Sequence, residues 1–186
     1  MRQTMFAISK DSPCYYLTSV SKDRLPLFRT NKICVVTCDA ISEARKSCGF
    51  DLFAYVIMPD HLHIITDSEK KSSVILRFVN GIVSRRVIDY LKENNFETSL
   101  EKLRHEDRGK GYTYSLWGHH PDIKLLWNEE MFMQRVHYTH QNPVRAGLVE
   151  KPKDYHWSSW RCWNHCPLPD EPLQIDINQI HWRNRK

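Results

Sequence analysis

Tyr138 and Asn142 stand one helical turn apart, and Pro143 follows directly, in the run Tyr138-Thr139-His140-Gln141-Asn142-Pro143-Val144-Arg145-Ala146-Gly147-Leu148. Far upstream, at the end of an apolar run, lies Met58-Pro59-Asp60-His61-Leu62-His63. A tyrosine oxygen can attack phosphorus once it is positioned and charge is drawn off the target. Histidines at i and i+2 of a strand point to the same face and can share one divalent ion. The two motifs together read as metal-assisted phosphoryl transfer with a covalent tyrosine step. Each residue type also has an ordinary use. Two histidines can sit on a solvated strand face, a tyrosine can pack its ring and leave its hydroxyl to water, and an asparagine before proline can simply end a helix.

The elements around these residues must bring them together. Residues 14–20 are rich in β-formers and read as a strand. A loop over 21–30 leads to a helix over about 32–47, with Asn31 as its cap and Gly49 as its stop. The unbroken apolar run 52–58 reads as a buried central strand. Pro59-Asp60 makes a turn, and 61–66 returns as the hairpin partner carrying both histidines. Ser72 or Ser73 opens a helix in which Ile75, Phe78, Val79, Ile82, Val83, Val87 and Leu91 recur at helical spacing. Residues 94–111 are polar and patternless, and read as a long loop or insertion. Residues 112–117 resemble a further strand. A helix over 129–141 ends before Asn142-Pro143. Its apolar stripe is Phe132, Met133, Val136, Thr139 and His140, with Tyr138 and Asn142 on the flank and Arg135 near them. Beyond Trp160 the chain is proline-rich and irregular. The order strand, helix, strand, strand, helix, strand predicts an α+β fold. It is a ferredoxin-like split β-α-β core with a four-stranded antiparallel sheet, plus an extra C-terminal helix carrying the tyrosine. The histidine strand is central in that arrangement. The domain spans 12–160, followed by an irregular tail over 161–186.

Composition narrows the class. The 186 residues are 41% hydrophobic, enough for a core, and 26% charged, too many for a membrane protein. No apolar run is long enough to span a bilayer, and the first residues lack the apolar block of a signal peptide. The expectation is therefore a cytoplasmic protein without a membrane partner. A net charge of +5 suits a phosphate-rich partner without requiring one. Ten histidines, six tryptophans and eight tyrosines add the aromatic surfaces that unpaired bases stack on. The six cysteines fit no zinc spacing and read as unpaired thiols.

Four features taken together resemble the REP-associated tyrosine transposases, within the single-tyrosine HUH superfamily of insertion-sequence transposases. Tyr55-Val56-Ile57-Met58-Pro59-Asp60-His61-Leu62-His63-Ile64-Ile65 looks like that family's strand, turn and histidine motif. The run from Tyr138 to Val149 looks like its tyrosine helix and following turn. Lys151-Pro152-Lys153-Asp154-Tyr155-His156-Trp157-Ser158-Ser159-Trp160 looks like the segment after it, and the element order over 12–160 agrees. Asp60 stands where the family pattern has asparagine, and Thr139 where it has isoleucine.

The resemblance implies Mg²⁺ or Mn²⁺ held by His61 and His63, with the Asn142 amide as third ligand. It implies Tyr138 as the nucleophile, a 5′-phosphotyrosine intermediate, and single-stranded DNA next to a hairpin, such as a repetitive extragenic palindrome, as substrate. Candidate contacts to the DNA backbone are Arg77, Arg85, Arg86 and Arg145, with Trp117 and Trp157 as stacking platforms. Solvated charge and core packing are the plainer uses of these six. Related transposases include dimers in which one subunit's tyrosine serves the other's histidines, whereas REP-associated members can act as monomers; a monomer or loose homodimer is expected. Two other functions use the same residues: a DNA-hairpin-binding protein that does not cleave, and a metal-dependent phosphoesterase that uses water and keeps Tyr138 for packing.

Overall fold

The computed structural model describes residues 14–67, 69–105, 114–118 and 121–180. β1 (Cys14–Val20), β2 (Leu52–Met58), β3 (His61–Asp67) and β4 (Asp122–Leu126) form one antiparallel sheet in the order β2-β3-β1-β4. The β2–β3 hairpin turns at Pro59-Asp60, and the histidine strand is central, as the sequence predicts. The register sets Thr18 opposite His63 and Val20 opposite His61. Helices α1 (Asn31–Cys48) and α2 (Ser72–Glu93) pack together on one face. There Leu17, Tyr55, Ile57, Leu62 and Ile64 meet Ile41, Ala44, Val79, Val83 and Val87 in the larger core. Helix α4 (Glu129–Arg145), the extra helix, covers the other face, with Phe132 and Val136 on Cys14, Tyr16, Phe53 and Ile65.

Local chemistry sets the boundaries. Thr30, one residue before the expected cap, accepts a hydrogen bond from the Ile33 N–H at the start of α1. Gly49 ends that helix at φ 69°, a left-handed turn that a side chain would strain. Asn128 accepts from the Met131 N–H, and Glu129 and Glu130 fill the positive first turn of α4. The four buried cysteines, Cys14, Cys34, Cys38 and Cys48, are unpaired.

Five expectations need correction. β2 is an edge strand, not a central one. It reads as central because later chain covers its free edge: Ile57 N–H donates to the Trp157 carbonyl, Ser159 N–H to Tyr55, and Asp176 N–H to Leu52. The fourth strand is Asp122–Leu126 rather than 112–117. Residues 112–113 lie outside the described residues, and 114–117 make only isolated bridges, with Leu116 dropped into the core. β4 escaped notice because it is short and largely exposed. The expected loop over 94–111 contains α3 (Glu97–Leu103), anchored by two buried leucines, Leu100 and Leu103, too few to show a period; residues 106–111 lie outside the described residues. Helix α2 begins after Lys71 with no side-chain cap from either serine. Finally, α4 continues through Asn142-Pro143 to Arg145. Proline in the last turn removes a single N–H donor, while the Ala146 N–H still reaches the Asn142 carbonyl and Leu148 that of Pro143.

The segment after Trp160 is irregular but packed. A four-residue helix, α5 (Trp160–Trp163), leads into a stretch in which Leu173 and Ile180 are buried. Buried Arg161 holds it with a bidentate pair to Glu171 and bonds to the carbonyls of Tyr155 and His156. The basic end over 182–186 lies outside the described residues.

One buried histidine ties α4 to this segment. His140 Nε2 lies 2.9 Å from Ser159 Oγ, and burial, then neighbouring His137, push its pKa from 6.5 to about 3. The unfolded chain binds a proton in that interval and the folded chain does not. Its contribution is therefore full above pH 6.5 and is lost as pH falls toward 3, at about 1.4 kcal/mol per unit. Urea midpoints should drop between about pH 7 and about pH 4.5, and His140→Gln should narrow that drop even while lowering the midpoint at neutral pH. An unchanged drop in the variant removes His140 from the acid response.

Candidate active site

Alternation along β3 sends His61 and His63 to the α4 face of the sheet. Alternation along β1 sends Tyr16, Thr18 and Val20 to the same face, one strand over. From above, α4 contributes Arg135, Tyr138 and Asn142, which the helical repeat aligns at three and four residues. β4 adds Asp122 and Lys124, paired in register with Thr18 and Tyr16. With Arg24, these side chains line a cleft of about 350 Å³.

Both imidazoles are oriented through Nδ1. The Tyr16 hydroxyl lies 2.8 Å and the Thr18 hydroxyl 2.9 Å from His63 Nδ1, and the Tyr16 ring stacks on His63 at 5.1 Å. His61 Nδ1 lies 2.6 Å from Asp60 Oδ1. Burial works against the Asp60 charge, but hydrogen bonds and charge from His61 and Arg24 outweigh it and hold the carboxyl below its ordinary range. An ionised carboxylate only accepts, so His61 Nδ1–H donates, and Nε2 is the nitrogen left to ligate when the ring is neutral. Fixing one ring nitrogen to present the other is how proteins prepare metal-ligating histidines. His63 is 5% exposed, and burial, then the fields of His61 and Arg135, push its pKa from 6.5 to about 3. It is therefore neutral at physiological pH, the form that coordinates a cation. Burial drives the Tyr16 phenol well above its usual range, so it remains a hydroxyl.

Tyr138 is half-buried over this pair, its ring 5.8 Å from His63 and 6.3 Å from Tyr16. The guanidinium of Arg135 lies 5.3 Å from the Tyr16 ring and 5.7 Å from the Tyr138 ring, and Arg145 lies 5.3 Å from Tyr138. Asn142 is buried, and its Nδ2 has no hydrogen-bond partner among the described residues. A buried N–H donor without an acceptor is costly unless an incoming oxygen takes it, and the Oδ1 of the same amide is the atom that could meet a cation. Among the described residues no three His, Cys, Asp or Glu side chains cluster as a metal site. The donor set for an ion here is two imidazoles and one amide, a set that suits Mn²⁺, or Mg²⁺ with additional waters.

The structure thus brings His61, His63, Tyr138 and Asn142 into one cleft and sets Arg145 against the Tyr138 ring. It separates the other five candidates from them. Arg77, Arg85 and Arg86 stand on α2, across the sheet; Arg85 and Arg86 both pair with Glu43, and Arg77 lies over Phe78. Trp117 packs on the α1–α2 core with Nε1 bonded to the Asn80 carbonyl, and Trp157 is buried in that core. Sequence reasoning missed Tyr16, Thr18, Arg24, Asp122 and Lys124. The first two carried a signal, the i, i+2 alternation on a strand that pairs with the histidine strand. Arg135 was placed near Tyr138 but given no role.

Residues 10–120, more than half of the chain, match the family described as IS200-like transposase, a span that includes both cleft histidines and stops before Tyr138. A Haemophilus influenzae protein named as a REP-associated tyrosine transposase is 23% identical over 150 residues, covering 78% of each chain. A solved structure of a REP-associated tyrosine transposase bound to a REP hairpin superposes over all of both chains with TM-score 0.59 at 16% identity, and so shares the fold. A structure described as a transposase from Deinococcus radiodurans gives TM-score 0.48 at 16% identity over 74% of this chain and 95% of its own. On the strength of the family match, the chain belongs to the IS200-like transposases.

Proposed function

We propose that this transposase cleaves and rejoins single-stranded DNA beside a hairpin through a 5′-phosphotyrosine intermediate. One observation carries the reading: a half-buried tyrosine, two oriented imidazoles and a buried amide whose Nδ2 has no partner among the described residues converge on a single cleft. A hairpin partner fits the REP hairpin held by the solved relative of the same fold. Nucleophile and histidines belong to one chain, so a monomer has a complete set; a loose dimer is not required.

His61, His63 and Asn142 would hold Mg²⁺ or Mn²⁺. When bound, the ion supplies charge that polarises a nonbridging oxygen of the scissile phosphate. Tyr138 Oη attacks phosphorus in line, its proton passing to solvent at the open mouth of the cleft. The P–O3′ bond breaks and its electron pair goes to the 3′ oxygen, which is protonated. One phosphodiester is exchanged for another, so a second 3′ hydroxyl can reverse the step and join strands without ATP. Asp60 and the Tyr16–Thr18 pair keep the imidazoles aimed, and His63, held neutral, stays a ligand rather than a cation.

Tyr138→Phe keeps the ring that packs on His63 and Tyr16 and removes only the oxygen. It should abolish a denaturation-resistant protein–DNA adduct on a hairpin-bearing oligonucleotide, while hairpin affinity stays within a few-fold. A persistent adduct excludes Tyr138 as nucleophile, and an intact-binding wild type that never forms one leaves a hairpin-binding protein.

Cleavage should stop in EDTA, return with Mn²⁺, and be lost in His61→Ala and in His63→Ala. Full cleavage by wild type in EDTA returns both histidines to a structural role.

Asn142→Ala should raise the Mn²⁺ concentration needed for half-maximal cleavage by about 10-fold or more, the range that losses around a metal commonly give. Without metal its melting temperature should not fall, because the amide Nδ2 it removes has no partner among the described residues. A variant that titrates with Mn²⁺ like wild type shifts the third ligand elsewhere, with His137 and Gln141 next in line.

A further inference from the structure

Building on the phosphoryl-transfer reading above, we propose that Arg135 is a further catalytic residue, whose guanidinium grips a nonbridging oxygen of the scissile phosphate beside Tyr138. Arg135 precedes Tyr138 by three residues on α4, so both project from one flank of the helix into the cleft. Its charge lies between the Tyr16 and Tyr138 rings and is half withdrawn from water. The other cations lining the cleft are matched: Arg24 with Asp60 at 2.9 Å and Lys124 with Asp122 at 3.3 Å. Arg135 has no carboxylate within ion-pair distance among the described residues. Two ring faces hold the cation, but they leave the N–H fork of the guanidinium without acceptors among the described residues. A planar, permanently charged fork with open donors is complementary to a phosphate oxygen.

The position also fits the chemistry. As the Tyr138 oxygen bonds to phosphorus and the 3′ oxygen departs, charge spreads over the nonbridging oxygens. His61, His63 and Asn142 approach the phosphate from the sheet side and the helix end, whereas Arg135 approaches from beside the nucleophile. It stays protonated throughout and moves no proton; its contribution is fixed donors where charge develops. Arg145, exposed on the last turn of α4, is left to the flanking backbone.

The test uses the full chain, Mn²⁺ and a hairpin-bearing single-stranded oligonucleotide, and reads the rate of covalent adduct formation. Arg135→Gln should slow adduct formation by about 100-fold, as removing one such donor does elsewhere. Hairpin affinity and the Mn²⁺ midpoint should stay within a few-fold. Arg135→Lys, keeping charge but not the fork, should recover part of the rate. Substrates with one nonbridging oxygen of the scissile phosphate replaced by methyl, separated into their two diastereomers, identify the contact. Both should be slow with wild type, and one of the two should cost Arg135→Gln little more. A wild-type rate in Arg135→Gln, a shifted Mn²⁺ midpoint, or equal penalties from both diastereomers in that variant overturns the proposal while leaving the tyrosine mechanism standing. If Arg135→Gln melts below the assay temperature, Arg135→Lys decides: a normal melt with the full wild-type rate and unchanged diastereomer selectivity overturns the proposal. Failure of wild type to form any adduct, with hairpin binding intact, brings down the tyrosine mechanism first and this inference with it.

Discussion

The antiparallel register between β1 and β3 is the constraint on which the cleft depends. It sets Thr18 opposite His63, so that the Thr18 and Tyr16 hydroxyls both reach Nδ1 of that imidazole. A slip of one residue would turn every side chain of a strand to the opposite face. Both histidines would then enter the core under α1 and α2, and Leu62 would face α4. The apolar residues that alternate with the site, Leu17, Leu62 and Ile64, make such a slip costly, because each would leave a packed core. The same residues that stabilise the fold thus index the chemistry.

Burial then does two things with one geometry. It removes His63 from water, which keeps the ring neutral, and it half-covers Arg135, which stays charged because guanidinium cannot lose its proton. A neutral base and a permanent cation therefore sit within one cleft. Asp60, where the family pattern has asparagine, places a carboxylate behind His61 that can only accept and so keeps Nδ1 of that ring the donor. Arg24, on the wall of the cleft, balances the added charge.

The parts legible in the sequence were those with a local repeat. The α2 periodicity, the Gly49 stop, the Pro59-Asp60 turn and the alternation of His61 and His63 are all decided by neighbours in the chain. What was not legible depends on partners far away. β2 reads as a central strand because Trp157, Ser159 and Asp176 cover its edge, information held a hundred residues later. β4 is five residues long and mostly exposed, and only pairing with β1 makes it a strand. The arginines of α2 face away from their own core, as a helical wheel predicts, but a wheel does not say on which side of the sheet the helix lies. For Asn142-Pro143 the general cost of proline in a helix misled, since only one donor is lost and Ala146 N–H to Asn142 and Leu148 N–H to Pro143 still close the helix end.

The cover on β2 has a consequence for the order of assembly. Tyr55 meets Ser159 across 104 residues and Leu52 meets Asp176 across 124. On a ribosome the hairpin that carries the histidines emerges long before the segment that closes its edge. Until then the nascent sheet exposes a row of open backbone groups, the kind of edge on which chains aggregate. Such distant closures slow folding, since loop entropy is lost before the contact is gained. Chaperone dependence during synthesis, rather than the stability of the finished protein, is where this architecture is most exposed.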